Sequence, residues 1–370
     1  MKLLSRTLST GLLAAAVTAS LNAQAMNKNL AVSVDVDTKS NGDVIATLNI
    51  TNQGKGNQKI LSWYTDLEEE HIFKITRDGK EVNFFGPHYK RPAPTEADFI
   101  KLKSGETLTK SFELSGLYDL SQPGNYEISY DVESFDLFGK NEIPSMTTRT
   151  MGQQSMMRAD VAELSSNSVN LWIEGVAMTK GNVQVSAKPT AGAADCTDGT
   201  CFTGRCSNSE KNSILSALNA ADQITNNSVA YLNSHSASNP STRYQTWFGA
   251  ATSSRYATVK SNFNAINDAI DNQDLTFDCS CNKSYFAYVY PNQPYKVYLC
   301  RAFWSANELG TDSRAGTIVH ELSHFNAVAG TDDIVYGQSG AKNLAISNPS
   351  QAIQNADSHE YFAENTPYQN

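Results

Sequence analysis

The sequence has no cysteine before position 196 and no hydrophobic run long enough to cross a membrane, and its N-terminal apolar stretch is also too short. A spanning helix needs about 20 consecutive apolar residues, so we expect a soluble mature chain. Basic residues are also scarce, with 29 Lys and Arg against 38 Asp and Glu and no basic stripe. Nucleic acid and anionic membranes are therefore poor candidate partners.

The chain has 370 residues, enough for two ordinary domains, and its 40% hydrophobic content is typical of globular proteins. Its first 25 residues have the pattern of a secretory signal. Lys2 and Arg6 give a positive start, residues 12–17 an apolar stretch, and residues 23–25 a small-x-small cleavage site. We therefore expect residues 1–25 to be a signal peptide and the remainder to be exported.

Residues 26–187 predict β-structure. Apolar and polar residues alternate in several short runs, at residues 31–36, 44–50, 108–114 and 126–132. Asp78-Gly79, between the runs 71–75 and 81–85, predicts a hairpin. Several short strands separated by turn signals are typical of an antiparallel β-sandwich of immunoglobulin-like type. We interpret the acidic run at residues 68–71 as a solvated charge run at a strand edge.

The second half of the chain predicts mainly helical, α+β structure. Small residues dominate the expected linker at about residues 180–200. Apolar residues recur at helical spacing in residues 207–232 and 255–271, and strand-like runs follow at residues 286–290 and 295–299. We therefore expect a multidomain protein, with a β-rich first half and a mainly α second half.

All six cysteines lie in the second half, at Cys196, Cys201, Cys206, Cys279, Cys281 and Cys300. An even number in an exported chain predicts three disulfides, and the sequence leaves all fifteen pairings open. A structural zinc cluster at residues 279–300 is the alternative. It lacks the paired two-residue spacings of such sites, and an oxidising compartment favours disulfides.

The segment His320-Glu321-Leu322-Ser323-His324 has the pattern of a catalytic zinc helix. Residues four apart lie on one face of a helix, so His320 and His324 can bind one metal ion. A catalytic zinc site keeps one position open for water, and Glu321 is placed to take a proton from that water. The alternative is a pair of surface histidines, but the motif lies in an apolar, helix-compatible run.

The third ligand is less obvious. A metzincin would have glycine at position 327 and histidine at position 330, where this chain has Ala327 and Gly330. A thermolysin-like site uses a glutamate about 20 residues further on, but the first glutamate after the motif is Glu360. Asp332 and Asp333 follow closely, and the chemistry of the ligands does not choose between them.

The motif together with Gly330-Thr331-Asp332-Asp333 and Tyr336-Gly337 resembles the aspzincin (deuterolysin) family of zinc metallopeptidases. The resemblance covers about residues 206–370 and is closest to the peptidyl-Lys metalloendopeptidases. Three further segments carry it, at residues 244–249, 286–291 and 355–362. It implies a zincin-type catalytic domain at residues 188–370 that cleaves peptide bonds before lysine.

The same resemblance implies the role of each site residue. Asp333 becomes the third ligand of one Zn²⁺ per chain, and the hydroxyl of Tyr336 stabilises the oxyanion. Asp357 and Glu360 become the acids of a lysine pocket, with Phe286 as its apolar wall. The implied disulfides are Cys206–Cys279 and Cys281–Cys300, with Cys196–Cys201 as an additional pair.

The resemblance further implies a proenzyme in which residues 26–187 are a propeptide that covers the cleft and inhibits the enzyme. Secreted bacterial members of the family suggest a role in virulence. Two alternatives stay open: an aspzincin of broader specificity, and a secreted binding or adhesion protein with a structural zinc. The second alternative needs a fourth protein ligand, for which His359 is the nearest candidate.

Overall fold

The structure is a computed structural model that describes residues 29–138, 147–151, 154–158, 162–176, 195–197 and 199–370. The expected signal peptide at residues 1–25 and most of the expected linker at residues 180–200 lie outside these ranges.

The described residues up to position 176 are rich in strands. In chain order these are β1 (Leu30–Thr38), β2 (Val44–Asn52), β3 (Gln58–Leu61), β4 (Phe73–Arg77), β5 (Lys80–Glu81), β6 (His88–Lys90), β7 (Phe99–Leu102), β8 (Thr107–Glu113), β9 (Gly124–Ser134), β10 (Thr147–Met151), β11 (Gln154–Arg158), β12 (Ala162–Ser165) and β13 (Val169–Ile173).

Most of these strands form antiparallel sheets around a shared core. One sheet has the order β1-β2-β8, and another has the order β12-β9-β4-β5, with β13 also paired to β9. Every second residue of β2 and β9 is buried, because alternate side chains of a strand point to opposite faces. Val34, Ile50, Ile75 and Tyr130 are among the residues of the common core. The β-rich first half is confirmed, and its immunoglobulin-like strand order stays a prediction.

The hairpin predicted at Asp78-Gly79 joins β4 to β5. Both turn residues have positive φ, 50° and 79°, as a tight hairpin turn requires. Thr76 pairs with Glu81 across the turn. The second strand is shorter than the pattern predicts: it ends at Glu81, and Phe84 instead forms an isolated bridge to Tyr118.

The described C-terminal residues combine helices with one mixed sheet. The helices are α1 (Asn208–Ser234), α2 (Thr242–Phe248), α3 (Ser253–Asn272), α4 (Arg301–Ser305), α5 (Arg314–His324), α6 (Gly337–Ser347), α7 (Pro349–Ala352) and α8 (Ala356–Glu364). The strands are β14 (Asp195–Thr197), β15 (Thr200–Thr203), β16 (Leu275–Asp278), β17 (Ala287–Val289) and β18 (Lys296–Leu299). Helix α5 packs in the centre of a second core, against α1, α3 and α8.

The sheet of the C-terminal half takes its last strand from the N-terminal half. Its order is β14-β15-β16-β18-β17-β6, and β6 runs antiparallel to β17. Lys90 pairs with Ala287, and His88 pairs with Val289. Strand β6 of the β-rich half therefore pairs with β17, which would otherwise be the edge strand of the sheet beside α5.

The three disulfides join Cys196 to Cys201, Cys206 to Cys279 and Cys281 to Cys300. These are the pairs that the family resemblance implies, and the zinc-cluster alternative for these cysteines is wrong. Among the described residues, no helix combines the length and the apolar character that a bilayer crossing requires.

Candidate metal centre and substrate cleft

Helix α5 carries both motif histidines into the core. It begins after Ser313, whose Oγ accepts a hydrogen bond from the backbone N–H of Gly316 and so satisfies a free donor at the helix start. Every residue from Ala315 to His324 is buried. The rings of His320 and His324 lie on the same face, with centroids 4.8 Å apart.

Asp333 lies close to both of these histidines. Its Oδ1 lies 3.1 Å from His320 Nε2 and 3.4 Å from His324 Nε2. All three atoms are buried and lack a hydrogen-bond partner. Buried polar atoms are rarely left unpaired, so this convergent set of two imidazole nitrogens and one carboxylate oxygen fits a zinc ion.

The structure distinguishes the two neighbouring aspartates. Asp332 leaves 60% of its side chain exposed, whereas Asp333 leaves 3%. Burial by itself would raise the pKa of Asp333, but the two histidines hold it well below its usual range. Asp333 is therefore the aspartate placed among the candidate ligands.

The other ring nitrogen of each histidine lies close to an oxygen atom of a neighbouring residue. His324 Nδ1 lies 2.7 Å from the carbonyl oxygen of Thr331, a geometry that suits a donated hydrogen bond. His320 Nδ1 lies 2.9 Å from Asp357 Oδ1 and 3.2 Å from Glu360 Oε2. Such outer partners fix the ring orientation and leave Nε2 for the metal.

Glu321 lies on α5 next to the candidate ligands and is fully buried. Burial raises the pKa of its carboxyl group to about 8, against the opposing effect of the two histidines. The nearby backbone N–H of Lys90 lowers this pKa, although neither oxygen of the carboxylate has a hydrogen-bond partner among the described residues. A carboxylate whose pKa lies near neutrality is suited to exchange protons with a reacting group.

Tyr336 lies beside the site but is held by the N-terminal half. Its hydroxyl donates a hydrogen bond of 2.9 Å to Glu70 Oε2, and its ring packs edge-on against Trp63 at 5.6 Å. Burial raises the pKa of Glu70 to about 7. Our interpretation of residues 68–71 as a solvated charge run is therefore wrong for Glu70, because it contacts a residue distant in sequence.

The predicted lysine pocket contains the side chain of Lys90. Its Nζ lies 2.9 Å from Glu360 Oε2 and 3.5 Å from Asp357 Oδ1, and the lysine side chain is fully buried. The rings of Phe286 and Tyr361 lie 5.2 and 5.3 Å from the ammonium group. The structure therefore brings the three predicted pocket residues around one lysine.

Asp312 is a third acid in this pocket, and no pattern in the sequence indicated it. Asp312 Oδ1 lies 2.8 Å from Lys90 Nζ and accepts a hydrogen bond from the Tyr361 hydroxyl at 2.7 Å. Asp312 occupies the loop before α5 with a positive φ of 52°. No motif or spacing links Asp312 to α8. Lys90 and His88 were also missed, because they belong to a short strand without a motif.

Strand β6 lies beside the candidate ligands and is added to the sheet next to β17. The backbone N–H of Tyr89 donates a hydrogen bond of 2.9 Å to Asp333 Oδ2. The Tyr89 ring packs on Tyr285 and Tyr288, at 5.0 and 5.5 Å. His88 and Lys90 point to the other face, toward α5, because strand side chains alternate.

Arg91 directly follows the last residue of β6. Its guanidinium pairs with Glu69 at 3.0 Å and lies over the rings of Trp63, Tyr89 and Tyr285, at 4.5–4.8 Å. Glu69 also accepts a hydrogen bond from the Tyr285 hydroxyl. The contact between the two halves is therefore both charged and aromatic.

His359 does not reach the metal centre. Its Nδ1 lies 3.0 Å from the carbonyl oxygen of Asn355, and its Nε2 lies 3.1 Å from the Asn262 amide. Its ring packs against Phe248 and Phe263 in the core. Its candidacy as the fourth ligand of a structural zinc site is therefore wrong.

Comparisons with known proteins identify relatives of both halves. A family model described as Lysine-specific metallo-endopeptidase (aspzincin) matches residues 231–364. The chain is 47% identical to an extracellular protease of Aeromonas hydrophila, over 90% of each chain. It is 36% identical to the peptidyl-Lys metalloendopeptidase of Armillaria mellea, over 91% of this chain and 90% of the relative. The solved zinc peptidase from Grifola frondosa is 47% identical, with 45% of this chain and 100% of that chain covered and a TM-score of 0.42.

Proposed function

Because the chain belongs to the aspzincin family of metalloendopeptidases, we propose that it is a secreted zinc endopeptidase that cleaves on the N-terminal side of lysine. We propose further that it is made as a proenzyme inhibited by residues 26–187, with the peptidase domain at residues 188–370. The observation that carries this proposal is the burial of Lys90 between the acids of the predicted pocket.

The contacts of Lys90 support a preference for lysine. Three carboxylates lie within 3.5 Å of its ammonium group, and aromatic rings flank it. An apolar side chain in the same place would leave buried carboxylates without a cation, which is strongly unfavourable. A substrate lysine would enter the same pocket and make the same contacts.

The position of the Lys90 backbone supports cleavage before the lysine. Its N–H is near enough to Glu321 to lower the pKa of that carboxyl group, and the N–H of the preceding residue, Tyr89, donates a hydrogen bond to Asp333 Oδ2. The Tyr89–Lys90 peptide bond therefore lies between the candidate base and the candidate metal ligands. A substrate held in this way presents the bond on the N-terminal side of its lysine.

In the proposed mechanism, His320, His324 and Asp333 would hold one Zn²⁺. When bound, zinc supplies Lewis-acid polarisation of the peptide carbonyl and makes water more acidic. The Glu321 carboxylate takes a proton from the attacking water and later delivers it to the amine nitrogen of the departing lysine residue. The Tyr336 hydroxyl donates a hydrogen bond to the developing oxyanion once it is free of Glu70.

Two features support inhibition by the N-terminal half. Strand β6 fills the cleft from the pocket to the candidate ligands, so a substrate strand cannot pair with β17 at the same time. Glu70 also holds the Tyr336 hydroxyl. Release of residues 26–187 would free the pocket and Tyr336 together.

Mass spectrometry of a denatured protein digested by the processed enzyme tests the proposal. We expect new N-termini that begin mostly with lysine, and none in a parallel digest with the Glu321→Ala variant, because that variant lacks the base. Zinc content of the variant should be unchanged, since Glu321 is not among the ligands.

Other digestion results would contradict the proposal in distinct ways. Cleavage without a preference for lysine would keep the peptidase and exclude the pocket assignment, as in an aspzincin of broader specificity. No cleavage by either form, with zinc present in both, would favour the binding or adhesion alternative.

A further inference from the structure

We propose that His88 is a fourth metal ligand in the full-length chain and closes the coordination position that the reaction requires. The inference rests on the proposed function and adds a specific regulatory group to the same site. Its partners are the candidate ligands His324 and Asp333, whose ligand atoms lie within 4.8 Å of each other and of a His88 ring nitrogen.

The surroundings of His88 suit a metal ligand. Its side chain is only 10% exposed, and its ring centroid lies 4.8 Å from that of His324. Its Nδ1 lies 3.7 Å from Asp332 Oδ1, which is beyond hydrogen-bond distance. Neutral imidazole is a preferred ligand of zinc, and a three-ligand site has one position left to fill.

The strand geometry fixes His88 in this place. Two residues apart on β6, His88 and Lys90 share a face, about 6.5–7 Å from each other along the strand. Lys90 is anchored in the acidic pocket, and pairing of His88 with Val289 sets the register. One short strand can therefore place a cation in the pocket and an imidazole at the metal.

A fourth ligand at His88 would explain how the strand that fills the pocket escapes cleavage. Lys90 is bound as a substrate lysine would be, and the N–H of the preceding Tyr89 donates a hydrogen bond to the candidate ligand Asp333. Such a bond would be open to hydrolysis if water could occupy the remaining metal position. An imidazole in that position excludes the water, so the inhibitory strand stays intact.

A cavity beside His88 makes the inference testable. It has a volume of about 320 Å³ and is lined by His71, His88, His324 and Asp332, among others. Removal of the His88 ring would connect this cavity to the metal centre. Small ligands such as imidazole could then reach the metal in the variant and not in the parent.

The experiment uses the full-length chain with Glu321→Gln, so that self-cleavage cannot intervene. X-ray absorption at the zinc edge should count three imidazole ligands in this parent and two after His88→Ala or His88→Gln. The cobalt-substituted parent should keep its visible spectrum when imidazole is added, whereas both variants should respond. Zinc release to a chelator should become at least about tenfold faster in the variants.

The control is His235→Ala, which removes a histidine at the end of α1 that contacts Tyr231 and lies outside the site. It should keep three imidazoles and the parental release rate. A parent with one zinc and only two imidazoles would overturn the role of His88 while leaving the proposed peptidase intact. A parent that binds no zinc would overturn both proposals.

Discussion

At the scale of single residues, the charges around Lys90 underlie the proposed preference of the pocket for lysine. Asp357 and Glu360 are fully buried and also face His320, so they are shared between the pocket and the metal centre. Asp312 is partly exposed and contacts the lysine without contacting His320. We therefore expect Asp312 to act mainly on substrate preference.

We predict that Asp312→Asn lowers kcat/KM for lysine substrates about five- to tenfold in the processed enzyme. The loss lies between that of an exposed ion pair and that of a buried charged hydrogen bond. Because Asp312 does not contact the candidate ligands, most of the change should appear in KM, as steady-state assays can show. Asp274→Asn, at an exposed aspartate, is the matched control, and equal rates for both variants would exclude Asp312 from the pocket.

At the scale of elements, helix α5 gives the metal centre its rigidity. Its first turn is fixed by Ser313, whose hydroxyl accepts from Gly316 and donates to Glu364 Oε1 at 2.7 Å. Its last turn is tied to the following loop through His324 and Thr331. Both histidines are thus held by a helix that is fixed at each end.

We predict that Ser313→Ala lowers the free energy of unfolding by about 1–2 kcal/mol, because the helix loses its cap. Denaturant unfolding of the zinc-loaded chain measures this change. Ser254→Ala, at an exposed position of α3, is the control and should be nearly neutral. A similar small effect at both serines would show that the cap of α5 contributes little.

At the scale of the whole molecule, the two halves contact each other at the candidate metal centre and the predicted lysine pocket. The N-terminal half contributes β6, Glu70 and Arg91 to one continuous contact. The strongest electrostatic part of this contact is Lys90 between buried acids. Loss of that lysine would leave buried carboxylates unpaired, at a cost on the order of 3–5 kcal/mol.

We predict that Lys90→Met raises peptidase activity of the intact, unprocessed chain at least about tenfold, because a weakened contact frees the cleft more often. Hydrolysis of a lysine peptide is measured while gel electrophoresis confirms that the chain is uncut. Lys101→Met, at an exposed lysine of β7, should leave the activity low. Equal activity of the two variants would argue against Lys90 as the group that blocks the pocket.

Features that depend on neighbours along the chain could be predicted from the sequence. The alternation in β2, the turn at Asp78-Gly79 and the placement of His320 and His324 on one helix face follow from local periodicity, and the structure contains all three. Asp357 and Glu360 also lie within one turn of α8, but their role in a lysine pocket was implied only by the family resemblance. Structure that depends on residues close together in the chain can be predicted from such local patterns.

The contacts that reach the site from distant parts of the chain are visible only in the folded protein. Tyr89 and Asp333 are 244 positions apart, and the contacts of Lys90 with Asp312 and Asp357 span 222 and 267 positions. No periodicity relates residues at such separations, because their meeting depends on how two cores pack and on which strand completes the sheet edge. The sequence therefore predicted the helix that carries His320 and His324 and the family of the chain. The pairing of β6 with β17, which the sequence did not predict, shows which segment fills the cleft.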